Sequence, residues 1–413
     1  MIAKLRELRR DELVNGSIIL FIMVLLFNLL NYGFHISMAK LMGPVNFGIL
    51  AALMSIVYIL TIPGEAIQTI VSRYASRLNA RNESGKIRSF FYKSMTKGLI
   101  FSLIAFMILI PISFLAAKTL KIEVGLIILT SLLVVEIFLV PIGRGVLQGR
   151  KKFFTMGMSM VGEAFAKVLF AIIFVLFGWG VYGAMGGVWA GGIVAFLFVI
   201  VALKDIIKSP KGEAARFDGI YKTNVPVLIA VTSIVLMYSL DILFARAFFS
   251  PEIAGQYAFV SMIGKVIIFI SFSIGKAMLP ISSEDFDRGR DTRKLFKKSL
   301  ILVAGISAAI LLMYALLPET IIFLVSLGSS QYLEGSGLLF LLGLSYTLLA
   351  LSNIIVLYRV SINRTSKSFY LLFFVALQAI VWLMYHSTLL EFVYGFLFVN
   401  LIMFLYSLFL IKR

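Results

Sequence analysis

Twelve apolar runs, each about 20 residues long and separated by polar segments, divide this chain of 413 residues. Backbone N–H and C=O groups that enter lipid must be paired within the protein, so only helices and closed barrels cross a membrane. Runs of this length predict helices, because barrel strands are about half as long. The runs lie at 14–37, 47–71, 95–117, 122–143, 155–177, 180–203, 223–248, 254–278, 299–317, 335–357, 369–388 and 391–411.

The composition indicates the same environment. Hydrophobic residues make up 61% of the chain, charged residues 14%, and the mean hydropathy is +1.01. A soluble domain is only about half apolar. The first run follows a basic segment, as in a signal peptide, but it is long enough to span and lacks a small-residue cleavage site. We predict an uncleaved first helix and an all-α polytopic protein in a lipid bilayer.

Two short blocks recur in both halves of the chain. Pro44 and Gly48 match Pro251 and Gly255 at an offset of 207. A second block recurs in the same order at an offset of 205: Arg88, Phe91, Lys93 and Ser94 match Arg293, Phe296, Lys298 and Ser299. With six runs in each half, both halves enter the membrane in the same sense. We predict two parallel six-helix repeats around a central cavity, residues 1–210 and 211–413, a plan that transporters use.

The basic residues test the number of helices, because cytoplasmic loops are enriched in Lys and Arg. Of 38 such residues, 32 fall at the termini or in alternate loops. Residues 73–97 and 276–298 each hold seven of them. Both termini are therefore predicted to be cytoplasmic, with the chain in the cell membrane. This placement also explains the net charge of +18 without nucleic acid as a partner.

Several function classes are not favoured by the sequence. It has no cysteine, two histidines and no GxxxxGK[ST] motif, so we expect no metal centre, no other cofactor and no ATP hydrolysis. The loops are too short to hold a catalytic domain, and we expect no enzyme. A scaffold without transport activity stays open, but it gives no reason for charges inside the membrane.

Polar side chains recur at helical spacing inside the runs. Asn28, Asn31 and His35 share one face of the first run. Further polar side chains lie in the second, fifth, seventh and eighth runs: Tyr58, Glu65, Glu163, Lys167, Asp241 and Lys265. Lys265 corresponds to Tyr58 at the offset of 207. If the halves face each other, these side chains line one cavity.

Each of these residues also has a purely structural interpretation. Amides and hydroxyls in membrane helices often form only interhelical hydrogen bonds, worth about 1 kcal/mol or less. Glu163 and Lys167, one turn apart, either neutralise each other or form a site. Asp241 and Lys265 are stronger candidates, since an ionisable group within the bilayer costs at least about 2.5 kcal/mol. They can also pair with one another.

Four motifs resemble those of a known family. The sequence Met42-Gly43-Pro44-Val45-Asn46-Phe47-Gly48 is similar to the LGPxxFG signature of oligosaccharide and polysaccharide flippases. Those flippases are the Wzx-like branch of the multidrug/oligosaccharidyl-lipid/polysaccharide exporter (MOP) superfamily. Other segments resemble its "LQGxxxF" motif, its glycine-rich sixth helix and the start of its second half: residues 145–153, 178–184 and 250–257, the last preceded by Asp241. Met42 stands where leucine is usual.

The resemblance implies a flippase for a polyprenyl-(pyro)phosphate-linked oligosaccharide. Such a protein moves its substrate from the inner to the outer face of the membrane by alternating access. Cationic side chains would offset the cost of removing the phosphate head from water. We expect Lys265 and Lys167 in mid-cavity, Arg73 at the inner mouth, and Arg246 and Lys40 at the outer mouth.

Asp241, Glu163 and Glu65 are the candidates for coupling to a cation or proton. We expect the protein to act as a monomer. The alternative is a multidrug or cation antiporter of the same superfamily, which would favour an acidic, aromatic cavity. Here the buried bases and acids are roughly balanced.

Overall fold

A computed structural model describes residues 2–212, 225–362, 364 and 369–411. These residues form fifteen α-helices, one π and one 3-10 segment, and no strand. The helices are α1 (Ile2–Ala80), α2 (Ser84–Leu120), α3 (Val124–Leu132), α4 (Val134–Gly149), α5 (Phe153–Phe174), α6 (Gly180–Ala202), α7 (Lys204–Lys208), α8 (Val225–Phe248), α9 (Pro251–Gly264), α10 (Val266–Asp287), α11 (Arg293–Leu316), α12 (Pro318–Val325), α13 (Leu339–Ser361), α14 (Tyr370–Met384) and α15 (Leu389–Ile411). The predicted start of the seventh run at 223 lies outside the described residues, as do the basic residues Arg216, Lys222, Lys367, Lys412 and Arg413.

Nine helical stretches of the described residues are long and apolar enough to cross a membrane. Two of them are interrupted by a glycine with positive φ, Gly43 (φ 70°) in α1 and Gly178 (φ 88°) between α5 and α6. A positive φ interrupts a right-handed α-helix, and glycine adopts it without strain. Each stretch therefore divides at its glycine into two spans. With the shorter apolar helix Tyr370–Met384, the spans number twelve. The predicted all-α polytopic fold with twelve helices is therefore confirmed.

Large apolar side chains cover the outside of the helices. On α2, Phe101, Met107 and Leu115 are 58%, 66% and 69% exposed. Soluble proteins rarely leave apolar patches of this kind in water. In lipid they are in their preferred surroundings, and the chain is a multi-pass membrane protein.

The chain forms two compact units. The first comprises residues 1–42 and 60–220, and the second comprises residues 43–59 and 221–413. Helix α1 thus contributes to both units, and its middle segment packs with the second. The predicted boundary at residue 210 stays a prediction, because residues 213–224 lie outside the described part of the chain.

Within the second unit, the two copies of the repeated block pack against each other. A methyl group at Gly48 would lie 2.8 Å from Cα of Gly255, and one at Gly255 would lie 2.0 Å from the carbonyl oxygen of Pro44. Helix α9 begins at Pro251, and the hydroxyl of Ser250 accepts a bond from the backbone N–H of Ile253. The glycines of the repeat therefore permit a close helix contact.

In the first unit, glycines at every fourth position bring α6 onto α5. A methyl group at Gly187 would lie 2.5 Å from the backbone nitrogen of Ala171, and one at Gly191 would lie 2.7 Å from the carbonyl oxygen of Glu163. Small residues at this spacing let membrane helices approach closely. The stripe has the packing role that its spacing predicts.

Candidate functional site

A buried carboxylate is the centre of a polar cluster in the second unit. Asp241 of α8 is fully buried, and Nζ of Lys265 donates to its Oδ1 at 3.0 Å. Its Oδ2 accepts from the hydroxyls of Ser261 at 2.6 Å, Tyr346 at 2.6 Å and Tyr257 at 3.2 Å. Four donors from two helices, α9 and α13, and the α9–α10 junction thus converge on one carboxylate.

The local sequence explains how these groups meet. Lys265 is the residue at which α9 ends and α10 begins, and the hydroxyl of Tyr314 donates to the carbonyl of Ile263 beside this junction. Gly264 leaves room for Tyr346, since a methyl group there would lie 2.9 Å from its ring. The junction thus aims Lys265 at α8 and brings the tyrosine hydroxyl to Asp241.

The opposite charges of Lys265 and Asp241 balance each other within the cluster. An isolated charge in a low-dielectric interior costs several kcal/mol, whereas a hydrogen-bonded pair of opposite charges recovers much of that cost. Lys265 is 5% exposed and Asp241 is fully buried, so the structure shows this pair closed on itself and away from solvent.

Aromatic rings lie beside this cluster. The ring of Tyr58, in the segment of α1 that belongs to the second unit, is 6.4 Å from the ring of Tyr238. Tyr238 in turn contacts Phe269 and Phe272 at 6.0 and 5.8 Å. Tyr58 thus lies on an aromatic surface of the second unit.

The first unit holds a second buried lysine. Nζ of Lys167 donates to the side-chain oxygen of Asn31 and lies 4.7 Å from the ring centre of Phe34. The amide group of Asn31 donates to the carbonyl of Phe27 at 2.7 Å, which fixes its oxygen toward Lys167. Asn31 and an aromatic face hold this ammonium without neutralising it.

Glu163 has a partner that the sequence did not indicate. The guanidinium of Arg144 donates to Oε2 of Glu163 at 2.6 Å and to Oγ and the carbonyl of Ser159 at 3.2 and 3.0 Å. Helices α4 and α5 are thereby joined. The ion pair of Glu163 is therefore with Arg144, while Lys167, one turn away, interacts with it through its charge.

The sequence matches the profile of one protein family, described as "Polysaccharide biosynthesis protein", over residues 13–286. The match covers about two thirds of the chain and includes the helices that carry Asp241, Lys265, Lys167 and Glu163. The chain belongs to this family. The family predicted from the sequence motifs is thereby confirmed. A comparison with curated protein sequences gave no significant match.

This polysaccharide biosynthesis protein has the fold of known transporters. An inward-facing multidrug resistance MATE family transporter of the MOP superfamily matches with a TM-score of 0.75 at 14% identity, over 94% of each chain. A MOP superfamily transporter from Pyrococcus furiosus gives 0.68 at 17% identity, over 97% of this chain and 95% of the other. An outward-facing MATE family transporter gives 0.65 at 16%, over 97% and 95%. Such low identities establish the fold alone.

The segment 145–153, which resembles the "LQGxxxF" motif, forms a helix contact in the first unit of the polysaccharide biosynthesis protein. A methyl group at Gly145 would lie 2.8 Å from the carbonyl oxygen of Gln68, and one at Gly149 would lie 2.4 Å from that of Ser72. Gln68 also donates to the side chain of Gln148 at 3.2 Å. The "LQG" segment therefore packs the end of α4 on α1.

The remaining predicted site residues lie elsewhere. Arg246 is buried near the end of α8, where the charge of Glu252 acts on it. His35 is buried edge-on against Phe34 at 5.3 Å. The other four are exposed on the first unit: Asn28, Lys40, Glu65 and Arg73. The structure joins Asp241 with Lys265 and Asn31 with Lys167.

At the predicted cytoplasmic end of the first unit, Asp205 joins two basic residues of the α4–α5 connection. Arg150 donates to both its oxygens at 3.1 and 2.6 Å, and Lys152 donates at 3.3 Å. The hydrogen bond from Arg150 lowers the pKa of Asp205 to about 2. The cluster therefore remains ionic throughout the physiological pH range and holds α7 against the end of α4.

Tyr257, Tyr346 and Arg144 were not predicted from the sequence as site residues. Tyr257 and Tyr346 look like ordinary aromatic residues of apolar runs, and Arg144 looks like an orientation charge at a loop. One signal was present for Tyr257, because it ends the motif that begins at Ser250. Tyr346 and Arg144 have no comparable signal.

Proposed function

We propose that this protein is a flippase for a polyprenyl-(pyro)phosphate-linked oligosaccharide. It would move the substrate from the inner to the outer face of the cytoplasmic membrane by alternating access, coupled to a cation or a proton. The observation that carries the proposal is a buried lysine within spanning helices of each unit, Lys265 and Lys167, in a member of the polysaccharide biosynthesis protein family.

The chemistry of such a substrate explains the need for buried cations. The lipid tail can stay in the bilayer, whereas the phosphate and sugar head must leave water. Ammonium groups form short, charge-assisted hydrogen bonds with phosphate oxygens and offset that loss. Lys167 is available for this role because its bound partner, Asn31, is neutral.

The pair of Lys265 and Asp241 supplies a way to couple transport to an ion. When the phosphate takes Lys265, Asp241 is left with a buried negative charge, which a proton or a small cation would neutralise. Release of that ion would restore the pair and expel the substrate. Each state is then stabilised by a different ligand, as alternating access requires.

The other predicted residues have secondary roles in this proposal. Arg73 would attract the head at the inner mouth, and Arg246 and Lys40 would receive it at the outer mouth. Glu163 and Glu65 are further candidates for ion coupling. Asn28, Asn31, His35 and Tyr58 would bind sugar hydroxyls. The protein would act as a monomer with both termini in the cytoplasm.

Reconstitution tests the proposal. The purified chain in liposomes should move a fluorescent lipid-linked oligosaccharide between leaflets, measured by quenching from one side. A charge-assisted hydrogen bond is worth about 1.5–3 kcal/mol, so Lys265→Ala should slow the movement by about 10- to 100-fold. The matched control is Lys118→Ala, which removes an exposed lysine at the end of α2.

A double variant separates transport from stability. Asp241→Asn with Lys265→Met leaves no buried charge at the cluster, and it should fold but not flip the substrate. If the double variant moves the oligosaccharide at the wild-type rate, the pair is structural and the proposed mechanism is wrong.

One observation favours the antiporter alternative. The aromatic surface formed by Tyr58, Tyr238, Phe269 and Phe272 lies near an acidic group, Asp241, and aromatic rings bind organic cations. In that case liposomes with an imposed ion gradient would accumulate a cationic dye, and the oligosaccharide lipid would not compete with it.

A further inference from the structure

Glu136 is a carboxyl group within the first unit that neither cluster uses. It lies in the first turn of α4, which begins at Val134 after a break in the helix at Leu133. Its Oε1 is buried and has no hydrogen-bond partner among the described residues. Its Oε2 occupies the space above Gly192 of α6, where a methyl group would lie 1.1 Å from it. Gly192 therefore provides a notch that the carboxyl group fills.

The surroundings of Glu136 form an apolar crevice of about 230 Å³ between α4 and α6. Besides Glu136 and Gly192, its lining residues are hydrophobic: Val135, Leu139, Trp189, Ile193, Phe196 and Leu197. Ile193 and Leu197 are 51% and 57% exposed, so the crevice opens at the outer surface of these spanning helices. That surface is apolar, as expected of one that contacts lipid.

Polar groups on the lining and on the neighbouring helices are engaged elsewhere. The indole N–H of Trp189 donates to the carbonyl of Leu129 at 3.2 Å. Arg144, on the same helix as Glu136, is bound to Glu163 and Ser159, and Lys167 on α5 is bound to Asn31. The charged group that acts on Glu136 from a neighbouring helix is Glu163, which has the same sign. The described residues that line the crevice thus supply neither a cation nor a free donor for an ionised Glu136.

We propose that Glu136 is a proton-binding site that opens to the bilayer, and that its neutral acid reacts with hydrophobic carbodiimides. An unpaired carboxylate in such surroundings costs several kcal/mol, whereas the neutral acid fits the notch. Loss of the proton would place a second negative charge near Glu163, which holds α5 to α4 through Arg144. The proton on Glu136 therefore lets its carboxyl group fill the notch above Gly192 without an unpaired charge.

The reaction of the site is an addition. The carboxyl proton moves to one nitrogen of the carbodiimide while the carboxyl oxygen bonds to its central carbon, giving an O-acylisourea. Transfer of the acyl group to nitrogen then gives a stable N-acylurea. No atom is lost, so the modified peptide gains the whole mass of the reagent. Access from lipid favours an apolar reagent over a charged, water-soluble one.

The test labels the purified full-length protein in lipid nanodiscs with dicyclohexylcarbodiimide and locates the adduct by peptide mass spectrometry. We expect modification of Glu136, loss of that modification in Glu136→Gln, and none at Glu163, whose carboxylate is bound by Arg144. A water-soluble carbodiimide should leave Glu136 unmodified. Modification of Glu163 in place of Glu136, or an unmodified Glu136 with the hydrophobic reagent, would overturn the proposal.

Two glycine substitutions, one test and one control, examine the notch. Gly192→Ala places a methyl group where Oε2 lies and should reduce the modification of Glu136. Gly162→Ala, on α5, meets no atom within 4 Å and should leave it unchanged. Equal modification in both variants would mean that the notch does not hold the carboxyl group. These measurements involve no transport, so their outcome does not depend on the flippase proposal.

Discussion

At Asp241, two different groups of donors satisfy one carboxylate. Lys265 supplies the opposite charge, and the hydroxyls of Ser261, Tyr257 and Tyr346 supply hydrogen bonds. Hydroxyl groups bind a carboxylate but do not cancel its charge. The cluster therefore depends on Lys265 for neutrality and on the hydroxyls for position.

This dependence gives a prediction for stability at the residue scale. Asp241→Asn leaves the buried ammonium of Lys265 without a counter-charge, and loss of one partner from a buried pair costs about 3–5 kcal/mol. Adding Lys265→Met should recover most of that loss, because no unpaired charge remains. Thermal unfolding of the purified variants in detergent measures both effects. A double variant that is less stable than Asp241→Asn alone would contradict the prediction.

Single residues also mark the limit of sequence reasoning. Asp241 and Lys265 stand out because charges are rare in apolar runs. Which groups they meet depends on how the helices are rotated and packed. Glu163 illustrates this limit, because its neighbour in sequence is Lys167 while its ion-pair partner in space is Arg144 of another helix.

At the scale of elements, the two copies of the repeated block form a contact between α1 and α9. Gly255 lies against the backbone of Pro44, so Gly255→Ala would force α9 away from α1. Overpacking of this kind costs about 1–3 kcal/mol. Gly305→Ala in α11 is the control, because its methyl group meets no atom within 4 Å and removes the flexibility of an exposed helical glycine. We expect a lower unfolding temperature for Gly255→Ala than for the wild type, and an equal or higher one for Gly305→Ala.

Helix boundaries show where elements depart from the sequence pattern. The apolar run 369–388 predicts a full span, but α14 ends at Met384 and is about 22 Å long at 1.5 Å per residue. Residues 318–338, predicted mostly as an outer loop, form α12 and the 3-10 segment Ser330–Leu338. Tyr332 of this segment is fully buried and stacks on Phe259 at 4.2 Å, so tertiary packing orders a stretch with weak periodicity.

At the scale of the whole molecule, the orientation in the membrane is open to a direct test. The chain contains no cysteine, so single cysteines can be added without first replacing native ones. Lys118→Cys and Glu319→Cys lie in predicted outer segments, and Lys204→Cys and Arg290→Cys lie in predicted cytoplasmic ones. A membrane-impermeant maleimide added to intact cells should modify only the first two. Modification of Lys204→Cys from outside would exclude cytoplasmic termini.

The sequence by itself determined the class of the protein, the number of its spans and its family, because these depend on the length of apolar runs, the bias of basic loops and local motifs. Tertiary structure alone decided the rest: that residues 43–59 pack with the second unit, that Lys265 closes on Asp241, and that Glu136 faces an apolar crevice. The physical reason is that a buried charge is stabilised by groups brought to it from other helices. The packing of the helices selects those groups, and close glycine contacts such as that of Gly264 with Tyr346 contribute to it.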